Sequence, residues 1–95
     1  MTMTLTIAFK IKPDRLADFA ALLTQVQNEL PGTKGCRDLR VLQNADVADE
    51  ILLIERWSSR EAHRAHIDEV IASGGWEHVA IHLAADPVST YFTET

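Results

Sequence analysis

The sequence predicts an α+β domain of the ferredoxin-like type, β-α-β-β-α-β, with a single antiparallel sheet. Three observations carry that reading. Residues 3–11 alternate apolar and polar side chains with a period of two, the mark of a strand with one apolar face. Two segments, 16–30 and about 59–72, place apolar residues at helical spacing. Three further runs, 36–44, 50–57 and 88–94, are strand-like and fall in the order this fold requires.

In the first strand Met3, Leu5, Ile7, Phe9 and Ile11 share one face. Pro13 stops the ladder and suits a first helical turn, where its missing N–H is not needed. Leu16, Phe19, Ala20, Leu23, Val26 and Leu30 then form one stripe, and Asp14 complements the helix start. PGTKG (31–35) is a turn, CRDLRVLQN a second strand, and ADVAD a hairpin loop. EILLIERW (50–57) is apolar on both faces, with Ile51 and Leu53 pointing one way and Leu52 and Ile54 the other. Ser58 and Glu61 read as a capping box, which opens a helix over 59–72 with Ala62, Ala65, His66 or Ile67, Val70 and Ile71 facing inward. Gly74 and Gly75 end it, and Trp76, Val79, Ala80 and Leu83 give a short further helix before Pro87 and the closing strand.

The sheet of this fold carries its helices on one face, so the other face should be wet. The doubly apolar third strand contradicts a wet face, and a homodimer packing two sheets together resolves the conflict. With 95 residues the chain is one domain spanning 1–95, and its thin core favours such a partner. A net charge of −5 and a pI near 5.2, with no run of Lys or Arg, argue against nucleic acid and anionic membranes as partners. The single cysteine, Cys36, excludes an internal disulfide and a cysteine-based zinc site, and reads as a small core residue. The first ten residues lack the pattern of a signal peptide, so the expected location is the cytoplasm.

One segment, ERWSSREAHRAH (55–66), combines Glu-x-Trp at a strand end, a Glu-Ala pair inside the helix and Ala-His one turn later. Glu55, Trp57, Glu61, Ala62, Ala65 and His66 carry that pattern. With KIKPD, LADFAALL, PGTKGCRDLRV and VSTYFTE, it resembles the antibiotic biosynthesis monooxygenase family across nearly the whole chain. The resemblance implies a dimeric α+β barrel with a pocket between sheet and helices. It also implies oxidation of small phenols, anthrones or quinols by molecular oxygen, with neither metal nor flavin as cofactor. A deprotonated substrate of this kind reduces oxygen directly. The protein then supplies a base with a pKa near working pH, a dry pocket and a donor for the anion. Two departures qualify the likeness. Neither ILLIER nor TLTIAFKIK holds the asparagine that some oxidising members and the haem-degrading relatives carry there, which argues against haem degradation.

On this reading Trp57 lines the pocket and His66 is the base or substrate donor; otherwise Trp57 seals the barrel end and His66 bonds a neighbour. Glu55 shares a strand face with Trp57 and needs a partner, for which Arg40 or His66 is available. A Glu55–His66 pair would raise the histidine's pKa. Tyr91 and Phe92 alternate on the last strand, so one of them faces the pocket. His63 and Arg37 are expected in solvent. His78 and His82, four apart, share a helix face, but without a third ligand they make a weak metal motif. The leading function is therefore a cofactor-independent monooxygenase. An isomerase or epimerase of a small oxygenated metabolite, or a non-catalytic ligand-binding or stress-response dimer, are the alternatives.

Overall fold

The computed structural model describes residues 2–95. Strands β1 (Met3–Lys10), β2 (Cys36–Gln43), β3 (Glu50–Trp57) and β4 (Val88–Thr93) form one antiparallel sheet in the order β2-β3-β1-β4. Helices α1 (Leu16–Glu29), α2 (Arg60–Ala72) and α3 (Gly75–Ala80) complete the predicted order. Among the described residues no helix is long and apolar enough to cross a membrane.

Alternation in β1 does what its period requires. Leu5, Ile7, Phe9 and Ile11 are buried, and the register sets Ile7 opposite Leu53 and Phe9 opposite Ile51. From α1, Phe19 and Leu23 close over this layer, with Phe19 edge-on to Phe9 at a centroid distance of 5.5 Å. Leu30 is buried as expected, while Ala20 faces solvent.

The third strand is apolar on both faces, and the outer one stays open. Leu52 and Ile54 are half-buried there, beside Leu42 at 47%, Val88 at 63% and Phe92 at 50% exposure. These side chains form an apolar surface on the side of the sheet away from the helices.

The start of α2 is one residue later than the capping box predicts. Ser59, not Ser58, is the cap, its Oγ accepting the Ala62 N–H at 3.1 Å, and Glu61 is exposed. Ser58 instead donates its backbone N–H to the Gly35 carbonyl at 2.7 Å, joining the end of β3 to the turn before β2. With this entry, Ala62, His63, His66, Ile67 and Val70 form the inner stripe, whereas Ala65 and Ile71 turn outward. Gly35 permits the close approach of α2: its φ is +89°, and a Cβ there would lie 2.7 Å from that of Ala62.

Candidate active site

Period two on β3 turns Glu55 and Trp57 toward the helices, and both are buried, at 4% and 0% exposure. The indole N–H of Trp57 donates to Glu55 Oε1 at 2.8 Å. Burial raises the Glu55 pKa, and this hydrogen bond opposes the shift by stabilising the carboxylate. The partner of Glu55 is therefore Trp57, and neither residue expected from the sequence provides it.

Arg40 is absent from this cluster because of a β-bulge. In the register of the Cys36–Trp57 pair, Arg40 would meet Leu53 on the inner face. The extra residue between Cys36 and Asp38 moves it opposite Ile54 on the outer face and sets Leu39 against Glu55. Arg40 there is exposed, 3.9 Å from the Asp38 carboxylate. Phe92 also points outward, while Tyr91, opposite Leu5, points in.

Two histidines lean on the Trp57 ring. His66 lies over it at 5.2 Å with an interplanar angle of 33°, and His63 meets it at 5.3 Å and 66°. His63 is buried rather than exposed, at 6% exposure, because it lies on the stripe of α2 that packs against Trp57 and Tyr91. Its Nδ1 lies 2.6 Å from the Tyr91 hydroxyl, and its Nε2 is enclosed without a partner. That distance is shorter than an N–H donor usually allows and normal for an O–H donor, so the Tyr91 hydroxyl donates to Nδ1. The Arg60 guanidinium sits 4.5 Å above the Tyr91 ring. Burial, with His66 and Arg64 adding repulsion, lowers the His63 pKa to about 4, so the imidazole is neutral near pH 7.

Burial also lowers the pKa of His66, against the opposing pull of Glu69. This is opposite in direction to the effect expected of a Glu55 pairing, and Glu55 is occupied by Trp57. Among the described residues His66 has no hydrogen-bond partner, and it is half-buried.

Two cavities adjoin α2, and Trp57 lines neither. One, of about 490 Å³, lies between α2 and β4 and is lined by Ile7, His63, Ile67, Trp76 and Tyr91. The other, of about 600 Å³, lies between α1 and α3 and is lined by Val26, Leu30, His66, His78 and His82. The size of both suits a small organic ligand. The expected pocket wall is thus a fully enclosed side chain whose N–H is already engaged. His82 bonds through Nδ1 to the His78 carbonyl at 2.8 Å. Among the described residues no group of three His, Cys, Asp or Glu side chains is placed to hold a metal ion. Cys36, the first residue of β2, is half-buried, and burial raises its thiol pKa.

Residues 2–69 match the family model described as antibiotic biosynthesis monooxygenase. The chain belongs to that family. Among solved structures, the Rv0793 protein of Mycobacterium tuberculosis is 23% identical with a TM-score of 0.86, over 100% of this chain and 96% of that one. A conserved protein of Methanosarcina mazei is 16% identical with a TM-score of 0.89, over 100% and 94%. SnoaB, a cofactor-independent oxygenase from Streptomyces nogalater, is 14% identical with a TM-score of 0.82, over 98% and 92%. These likenesses show the fold. Among proteins with curated descriptions, none matches the chain. The span matched to the antibiotic biosynthesis monooxygenase model holds Glu55, Trp57, His63 and His66, whereas Tyr91 lies beyond it.

His63 is the residue that sequence reasoning missed. Its signal was present in the spacing: Ser59, Ala62, His63, His66, Ile67 and Val70 are separated by steps of three, one, three, one and three, the two-residue-wide stripe of a packed helix.

Proposed function

We propose that the chain is a monooxygenase that uses oxygen without metal or flavin, acting on a small electron-rich phenol, anthrone or quinol. The observation that carries this reading is the 2.6 Å contact between the Tyr91 hydroxyl and the neutral, buried His63, at the wall of a largely apolar cavity. A substrate hydroxyl placed against Tyr91 gives up its proton as the Tyr91 proton moves to Nδ1 of His63, a weak base at a pKa of about 4, so the relay suits the more acidic substrates of this class. Tyr91 then stabilises the aryl oxide by hydrogen bonding. Ile7, Ile67 and Trp76 give that anion an apolar wall, with Arg64 and Asp68 also lining the cavity, and the anion is left to reduce oxygen. Trp57, held by Glu55, acts behind the site by fixing the His63 ring.

A second reading takes His66 as the base, in the other cavity. Its half-buried imidazole, without a hydrogen-bond partner among the described residues, favours this reading. Oxygen uptake with an anthrone and a naphthoquinol separates the two. On the first reading Tyr91→Phe and His63→Gln lower turnover by about a hundredfold or more, the usual weight of a positioned acid–base group, and His66→Ala does not. The second reading reverses that outcome. Substrate conversion that continues without oxygen would instead establish an isomerase, and binding without conversion a ligand-binding protein.

The assembly proposed with this function is a homodimer. Leu42, Leu52, Ile54, Val88 and Phe92 give the outer face of the sheet an apolar surface that a second copy would cover. Sedimentation of wild type and Phe92→Lys tests it: a dimer for the first and a monomer for the second are expected, and a monomeric wild type refutes it.

A further inference from the structure

We propose that the cavity between α2 and β4 takes aromatic hydroxy acids: Arg64, with Arg60 beside it, holds the carboxylate, and the hydroxyl meets Tyr91. This narrows the substrate class of the proposed oxygenase. It rests on that reading for the reaction, though not for binding.

The start of α2 gathers positive charge that the helix itself opposes. Arg60 is the first residue of the helix and Arg64 the fifth, with Glu61 the one acid in the first turn. Cations are unfavourable at this end, where the aligned peptide dipoles leave partial positive charge. The two arginines also stand four residues apart, so like charges share one face of the helix. Neither has an ion-pair partner among the described residues, although the chain carries a net charge of −5. An anion bound between them offsets all of these costs.

Both arginines border the candidate site. Arg64 lines the cavity and lies close enough to His63 to oppose its protonation, and the Arg60 guanidinium sits 4.5 Å above the Tyr91 ring. His63 offers them no acceptor: its Nδ1 is taken by the Tyr91 hydroxyl, so the enclosed Nε2 carries the hydrogen. The other polar groups of the lining are Ser89, a neutral hydroxyl, and Asp68. Asp68 lies one turn beyond Arg64, on the side away from Arg60, and does not pair with it. Its charge repels an anion from that end of the cavity and so favours the end where Arg60 and Tyr91 lie. Ile7, Ile67, Val70 and Trp76 are left to hold the ring. The cavity between α1 and α3 lacks this pattern, since its lining includes Glu29 and no Lys or Arg. A preference for acids therefore also tells the two cavities apart.

Calorimetric titration of the full-length chain with 6-hydroxy-2-naphthoic acid and with its neutral primary amide, at neutral pH, tests the site. Wild type should bind the acid about fivefold more tightly than the amide, the weight of charge-assisted hydrogen bonds to partly exposed guanidinium groups. Arg64→Gln should cut that preference to about twofold, and Arg64→Gln with Arg60→Gln should abolish it. Asp68→Asn should enlarge it. Arg37→Gln removes the same charge from an exposed position on β2 and should leave the preference intact. Equal affinities for acid and amide in wild type, or no binding of either, would overturn the proposal. So would an undiminished preference in Arg64→Gln, or an equal loss in Arg37→Gln. Arg64 is exposed, so the single variant keeps its fold and decides the matter should the double variant not. Oxygen uptake separates this proposal from the reading beneath it. Acid preference without oxygen consumption upholds the site and refutes the oxygenase, whereas oxidation of an anthrone without acid preference does the reverse.

Discussion

His63 and His66 lie three residues apart on one helix and touch the same indole ring at nearly the same distance, 5.3 and 5.2 Å. Their fates differ. His63 is enclosed, neutral and bonded to Tyr91 on β4, whereas His66 is half-buried, lines the opposite cavity and has no hydrogen-bond partner among the described residues. A helix turns about 100° per residue, so three residues separate the two rings by about 60° around the axis. That offset is enough to put them in the linings of different cavities. Neighbouring positions of one residue type are thus told apart by what the sheet offers on each side, and here β4 offers a hydroxyl to only one of them.

The severest way to break this comparison is to remove what both rings share. Trp57→Ala leaves a cavity beneath both histidines and strips Glu55 of its donor, and a loss of about 3–5 kcal/mol in urea unfolding is expected. Next comes acid. The folded pKa of His63, about 4, lies below its ordinary 6.5, so between these values the unfolded chain holds the extra proton. Stability is then full above pH 6.5 and falls as the pH drops toward 4. His63 contributes a loss of about 3 kcal/mol, which His63→Gln should largely abolish in unfolding curves taken across that range.

A smaller effect isolates the hydrogen bond. Tyr91→Phe leaves Nδ1 of His63 without its donor and should cost about 1–3 kcal/mol, and a double-mutant cycle with His63→Leu should recover part of it. The cap of α2 comes next: Ser59→Ala should cost about 1 kcal/mol by thermal melting, and Ser58→Ala less. Least of all, His66→Ala should cost about 0.5 kcal/mol, since it gives up packing on Trp57 but no hydrogen bond. A His66→Ala loss as large as that of Tyr91→Phe would erase the contrast between the two histidines.

Much of the candidate site was legible in the sequence. The period of two on β3 placed Glu55 and Trp57 inward together, and the alternation on β4 required that only one of Tyr91 and Phe92 face the helices. The partners of these residues were less legible. Arg40 was assigned to Glu55 by strand proximity, and one extra residue in β2 carried it to the other face. His63 was assigned to solvent, and the packing of α2 against Trp57 and Tyr91 brought it inside.

By itself the sequence determined the order of elements, the inner face of β1, the two apolar faces of β3 and membership of a family, because those follow from local periodicity and from a motif read along the chain. Only the tertiary structure decided that Trp57 donates to Glu55, that Tyr91 binds His63, and that His63 and His66 line different cavities. Each of those depends on register and helix phase. A shift of one residue reverses a strand's faces and turns a helix by about 100°, and spacing along the chain does not reveal such a shift.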